Sequence, residues 1–255
     1  MNFIAAGLSD VGRQREHNED SFCILPEHRL FIVADGMGGH RAGDVASKMA
    51  THAIASFFQA TTNDDATWPF SFDPHLTIDE NRLVTGIKLA NKKIFEASIK
   101  HREVHGMGTT VVGALFSKER RKVYLAHVGD SRAYRIRRGQ IKQLTRDHSL
   151  VNDYLLVMPD MTEEQKDELP KNVITRALGM QDSVAVDMVP DDPEPGDIYV
   201  LCSDGLSGMI EDEDILGTIT DAGQDMEAAA KSLIHRANEN GGEDNITVVV
   251  VMFTG

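Results

Sequence analysis

Strand-like apolar runs in this chain repeatedly abut an aspartate, and that arrangement constrains the fold more than any other feature. Leu30-Phe31-Ile32-Val33-Ala34 leads into Asp35-Gly36, and Ile198-Tyr199-Val200-Leu201-Cys202 leads into Ser203-Asp204-Gly205. A third pair, Asp244-Asn245, precedes the run from Ile246 to Val251. Short β-branched runs bounded by Gly, Asp and Asn read as buried strands. An aspartate at the end of such a strand stands at the rim of a rigid scaffold. A single Asp-Gly after a strand is an ordinary turn, but repetition in the same context points to one shared site. Carboxylates that converge repel one another unless a cation joins them. Oxygen-only ligands favour hard ions such as Mg²⁺ or Mn²⁺.

Further strands are predicted at Phe3 to Leu8, Ser21 to Leu25, Thr109 to Phe116, Lys122 to Val128, Ala133 to Ile136, Gln140 to Leu144 and Val184 to Val189. Apolar residues at helical spacing, from Val45 to Phe58, predict a helix from about Gly43 to Ala60. Asp79 is the expected cap of a second helix with Leu83, Ile87, Ala90, Ile94 and Phe95 on one face. Thr61 to His75 reads as a loop. Asp147 to Met180 is polar and reads as two short helices, one starting at Met161-Thr162-Glu163-Glu164. A further helix is predicted near Met226 to Asn238. Few helices among many strands argue for α+β layers rather than repeating βαβ units. At 255 residues without a Pro/Ser-rich linker, the chain reads as one folded unit over 1–255, with a flap-like segment near 147–180.

The balance of 26 basic against 40 acidic residues, net −14, argues against a nucleic-acid partner. Cys23 and Cys202 both lie in apolar runs and read as small core residues in a reducing compartment. The N-terminal apolar stretch is too short for a signal peptide, and no segment is long enough to span a bilayer. The expectation is a cytoplasmic monomer without membrane contact.

Two more clusters carry chemistry. Arg15-Glu16-His17-Asn18-Glu19-Asp20 brings carboxylates and an arginine suited to bidentate phosphate contact just before a strand. Its plain alternative is a solvated loop. Gly129-Asp130-Ser131-Arg132 follows another strand, and its plain alternative is a hairpin turn with an Asp-Arg surface pair. Other patterns fail on chemistry. Cys23 through Arg29 has the Cys-x₅-Arg spacing of a thiol phosphatase loop, but Pro26 lacks an N–H and Glu27 would repel phosphate. Ser203 lacks the Gly-x-Ser-x-Gly elbow. His101, His105 and His127 have no zinc spacing. Lys118, Arg120, Arg121 and Lys122 read as a hairpin tip.

In order, Arg15-x-x-Asn-Glu-Asp, Val-Ala-Asp35-Gly-Met-Gly-Gly-His, Gly-Thr-Thr, Val-Gly-Asp130-Ser-Arg, Ser-Asp204-Gly-Leu and Glu-Asp244-Asn-Ile-Thr span residues 15 to 247. This series resembles the metal-dependent serine/threonine protein phosphatase family, protein phosphatase 2C. The segments Leu144 to Val151 and Asn172 to Gly179 are similar to its bacterial branch.

The resemblance implies a central antiparallel β-sandwich flanked by helices, four layers α-β-β-α, with a metal site at one end. It implies that Asp35 bridges two ions, Mn²⁺ or Mg²⁺, and that the Gly36 carbonyl binds one of them. Asp204 and Asp244 would complete the other shell, and Glu19 and Asp20 would act through waters. Asp130 with Asp204 would hold a third, weaker ion. Arg15 would grip the substrate phosphate, and Asn245 would orient a neighbouring ligand. Two ions about 3.5–4 Å apart lower the pKa of a shared water toward ~7, for in-line attack on phosphorus. Many eukaryotic relatives place a histidine directly after the Asp-Gly pair, where this chain has Met37. The leaving group's proton is therefore assigned to a metal-bound water, with His40 facing elsewhere. Phosphoprotein substrates and a separately encoded cognate serine/threonine kinase of the Hanks type are the implied partners. A non-catalytic phosphoprotein-binding module is the rival from another class, and a small-phosphoester hydrolase is a second.

Overall fold

The computed structural model describes residues 1–38, 42–62, 68–170 and 173–255. His40, Asn172 and the middle of the Thr61 to His75 loop lie outside the described residues, and so do the expectations placed on them.

The first layer of the sandwich is a five-stranded sheet. Its strands are β1 (Phe3–Asp10), β11 (Ile246–Phe253), β10 (Ile198–Cys202), β7 (Arg132–Arg137) and β8 (Gln140–Gln143), in that order and all antiparallel. The second sheet runs β2 (Asp20–Leu25), β3 (Leu30–Met37), β5 (Val111–Ser117), β6 (Lys122–Val128) and β9 (Asp187–Asp191), also antiparallel. A two-residue strand, β4 (Gly108–Thr109), extends it beside the end of β3.

Helices α1 (Ala42–Ala60) and α2 (Ile78–Lys100) cover the second sheet. Helices α6 (Asp212–Ala222) and α7 (Met226–Glu239) cover the first. Three shorter helices are α3 (Leu150–Val157), α4 (Glu163–Asp167) and α5 (Asp204–Ser207). Three apolar clusters fill the three interfaces of an α-β-β-α stack, as expected from the resemblance. Between the sheets, Phe31, Phe116 and Tyr199 meet edge to face at 5.6 and 5.5 Å. Such pairs add about 0.5–1.5 kcal/mol beyond the area they bury.

The differences from the sequence reading are local. Thr77 rather than Asp79 caps α2, in a reciprocal box with Glu80. Helix α6 was not anticipated. The strand expected from Thr109 is broken at Thr110, and the one expected at Val184 starts at Asp187.

Side-chain alternation positions the site. Strands point successive side chains to opposite faces. Phe31 and Val33 of β3, Phe22 and Ile24 of β2, and Tyr199 and Leu201 of β10 all face between the sheets. At the next inward position toward that end, two residues after Val33 and Leu201 and two before Phe22, the same inner faces carry Asp35, Ser203 and Asp20. Val249 and Val251 of β11 lead back through Thr247 to Asn245 in the same way. The polar residues thus sit where the two inner faces run out of apolar filling.

Candidate metal centre

Asp20 lies directly opposite Asp35 across the β2–β3 ladder. Like charges in that relation are destabilising. Asp35 also feels the charges of Asp204 and Asp244, and its carboxyl hydrogen-bonds Asp204. Asp130 feels Asp204, and Glu19 feels both Asp244 and Arg15. Every site residue named from the sequence therefore converges on one end of the sandwich.

Burial and mutual repulsion push these acids up. The carboxyl of Asp35 is held well above its ordinary range, first by burial and then by Asp20 and Asp204. Asp20 is raised to about 7 by burial, against hydrogen bonds from Thr247 and Ser203 that act the other way. Asp130 is also raised to about 7, by burial and then by the charge of Asp204. Asp204 and Glu19 are raised as well, chiefly by burial.

Second contacts fix the carboxyls. Ser203 Oγ donates to Asp20 Oδ2 at 2.7 Å and accepts from the Thr247 N–H at 2.9 Å. Asn245 accepts the Glu19 N–H at 2.7 Å and donates to the Val11 and His17 carbonyls, which sets the 11–19 loop against the sheet. Glu19 Oε1 accepts from the Gly43 N–H at the start of α1, at 3.2 Å. The Thr110 hydroxyl accepts the Asp35 N–H at 3.1 Å and pairs with Ser131 Oγ at 2.6 Å. It thereby links the Asp35 strand end to the turn that holds Asp130. Gly36 has no room for a side chain, because a Cβ would lie 2.1 Å from the Gly43 carbonyl oxygen. That close approach lets α1 start against the strand end.

Arg15 Nη2 donates to Asp244 Oδ2 at 2.6 Å, and its side chain is half exposed at the mouth of the site. Arg132 does not pair with Asp130, as the plain hairpin reading had it. It makes a two-pronged contact to Asp147, 2.8–3.1 Å long, and ties the turn to the following loop. Sequence reasoning gave no site role to Ser203 or Thr110, although both sit inside motifs that carry the resemblance.

The donor set fits hard cations. Oδ1 of Asp20, Asp130 and Asp204 is buried without a hydrogen-bond partner. An orphaned buried carboxylate oxygen is costly unless an ion satisfies it. A second group, His127, His148 and Asp187, brings ligand atoms within 4.8 Å of one another. The two rings stack at 4.7 Å, only 10° from parallel. His148 Nδ1 accepts the Gly129 N–H at 3.0 Å, so its Nε2 carries the proton and faces Asp187 Oδ2 at 3.2 Å. In that tautomer Nε2 has no lone pair for a metal. The acidic centre is the better cation site.

The protein phosphatase 2C profile matches residues 11–247, and the chain belongs to that family. The serine/threonine phosphatase stp of Listeria welshimeri is 38% identical over 254 residues, 95% of this chain and 93% of that protein. The Mycobacterium tuberculosis serine/threonine phosphatase PstP/Ppp superposes with a TM-score of 0.83 at 34% identity, covering 99% of both chains. The catalytic domain of PstP in complex with two manganese ions superposes at 0.80 with 33% identity, again over 99% of each. The chain is a metal-dependent phosphatase of this family. Among its described residues, no helix is long and apolar enough to cross a membrane.

Proposed function

We propose that the chain hydrolyses phosphoserine and phosphothreonine in protein substrates at the acidic end of the sandwich. Asp35, the Gly36 carbonyl, Asp204 and Asp244 would hold two divalent ions, Mn²⁺ or Mg²⁺. Glu19 and Asp20 stand behind them, and Asp130 with Asp204 would take a third, weaker ion. The single observation that carries this reading is the set of buried, unpartnered carboxylate oxygens on Asp20, Asp130 and Asp204 in one converging cluster. When bound, such ions lower the pKa of a water for attack on phosphorus and offset the charge on the phosphoryl oxygens.

The protein's own groups do the rest. Arg15 reaches from the rim, where its guanidinium can leave Asp244 for phosphoryl oxygens. Asn245 and Gly43 hold Glu19, and Ser203 holds Asp20, so the acids keep their positions when the charge around them changes. Met37 has no proton to give, so the departing serine or threonine oxygen draws its proton from water in the site. The described residues between 147 and 180 act as a flap tethered at its stems, where the Thr175 N–H donates to the His148 carbonyl at 2.9 Å and Ser149 bridges Ile174. The substrates of such an enzyme are made by a serine/threonine kinase, which is the partner we infer. The two cysteines are free thiols, which suits the cytoplasm.

The test is phosphate release from a phosphothreonine peptide by the wild type with Mn²⁺, by the wild type with EDTA, and by Asp204→Ala with Mn²⁺. Release only in the first case supports the reading. Retained activity in a folded Asp204→Ala variant would remove the acidic centre from the chemistry. No release by folded, metal-loaded wild type would favour the binding-module alternative.

A further inference from the structure

Beside the metal centre lies a groove of about 410 Å³ that the chemistry above does not use. Met37, Ile174, Ala177, Met180 and Val184 line it, together with Arg176. The guanidinium of Arg176 is already engaged, donating to Asp187 Oδ1 at 2.6 Å and to the Ala185 carbonyl at 3.2 Å. The groove therefore presents thioether and alkyl surface alongside the polar groups of Thr175, Gln181 and Ser183.

This surface is built on fixed backbone. Met37 pairs with Gly108 across β3–β4, and Thr109 exchanges two hydrogen bonds with Leu178, of 3.1 and 2.8 Å. The next turn is clamped by Asn91, a buried side chain of α2. It accepts the Gly179 N–H at 2.9 Å and donates to the Gln181 and Asp182 carbonyls at 3.1 Å each. Met180 rides on this clamped turn and is still 55% exposed. Gly108 leaves the space that brings the two methionines together. A Cβ there would lie 3.2 Å from Met180 Sδ and 3.5 Å from Met37 Cγ. Two flexible, polarisable side chains thus share an open floor on rigid supports, a combination that suits apolar ligands of varied shape.

The groove also adjoins the site through β3. Asp35 and Met37 are two residues apart on the same face of β3, about 7 Å along the strand. A bound peptide covers that distance in about two residues. We propose that the Met37–Met180 groove is a specificity subsite that receives an apolar side chain, such as leucine or isoleucine, flanking the phosphorylated residue of a protein substrate. The net charge of −14 disfavours an acidic occupant. The paired Arg176 leaves no unengaged cation in the lining to attract one. This inference rests on the phosphopeptide reading above.

The test uses Mn²⁺-loaded full-length protein and phosphothreonine peptides that differ at single positions within two residues of the phosphothreonine. Each position carries leucine, glycine, lysine or glutamate. At one position kcat/KM for leucine should exceed that for glycine by about tenfold. The ratio should fall to near one in the Met37→Ser/Met180→Ser double variant, whose fold is checked by its melting curve. Equal leucine and glycine rates at every position in the wild type, or a lysine preference that the double variant keeps, would overturn the proposal. A second readout does not need turnover. In the Mg²⁺-loaded protein, whose diamagnetic ion leaves nearby signals sharp, the ¹³C-methyl signals of Met37 and Met180 should shift with a leucine peptide and stay put with its glycine counterpart. Shifts absent with both would overturn the subsite even if phosphate is released. Shifts present without phosphate release would support the subsite while refuting hydrolysis.

Discussion

Replacing Asp130 by asparagine should make the metal-free protein more stable at neutral pH. The reason is the sign of its shift. In the fold its carboxyl titrates at about 7 instead of 3.8, because it is buried and faces Asp204. Below about pH 4 both folded and unfolded chains hold the proton, and the group costs nothing. Between about 4 and 7 the folded state keeps a proton that the unfolded state releases, so stability falls as pH rises. Above about 7 the folded state carries the buried charge and the full penalty. A rise of about three pH units at about 1.36 kcal/mol each gives about 4 kcal/mol. Partial exposure and proton sharing with Asp204 bring this to about 2–4 kcal/mol. Asparagine has nearly the same shape and no charge. In EDTA, Asp130→Asn should match wild type near pH 4 and exceed it by about 2–4 kcal/mol at pH 8, on the order of 10 °C in Tm. With Mn²⁺ the gap should shrink or reverse, because wild type gains more from bound ion. Chemical denaturation at pH 4, 6 and 8, with and without Mn²⁺, measures this. A metal-free variant no more stable than wild type at pH 8 would refute the reasoning.

Arg15→Ala should mainly raise KM for a phosphopeptide with little change in kcat, if the guanidinium holds phosphate equally in ground and transition states. Steady-state kinetics checks it, and an unchanged KM would remove Arg15 from the substrate role. Ser203→Ala should cost about 1–3 kcal/mol of stability, since it strands the buried Thr247 N–H and one Asp20 oxygen together. Urea denaturation reads that cost, and a loss below about 0.5 kcal/mol would show that the serine is not holding Asp20.

The strands were legible because β-branched runs ending in Asp-Gly or following Asp-Asn leave few other readings. The convergence of Asp35, Asp204 and Asp244 was legible for the same reason, as each abuts such a run. What escaped depends on partners distant in sequence. Ser203 matters because Thr247 and Asp20, 44 and 183 residues away, meet at its hydroxyl. Thr110 matters because Ser131 arrives from the far side of a hairpin. Their motifs mark the segments, but nothing within those motifs gives either hydroxyl its partners. Helix α6 begins on the acidic run Glu211 to Asp214, and its role becomes plain only from Ile215 and Ile219 packed on the first sheet. The cap of α2 was misread because Asp79 and Thr77 are both good caps. The reciprocal bond from Glu80, three residues beyond Thr77, decides between them.

The deeper regularity is that core and site share one periodicity. The alternation that sends Phe31 and Val33 between the sheets also delivers Asp35 and Met37 to the open end of that space. A one-residue slip of β3 would therefore expose the aromatic core and turn the carboxylate away from its partners in a single step. The register is pinned independently on both edges, by β2 pairing Asp20 with Asp35 and by β5 pairing Phe31 with Ala114. Repulsion among the acids works against folding, while the inter-sheet core works for it through the same strands. The apolar filling stops a few residues short of the sandwich end, and there the fold tolerates charges that only a cation or a proton can neutralise. Stability of the scaffold is thus what allows the site to stay electrostatically strained, and that strain is the affinity offered to the metal.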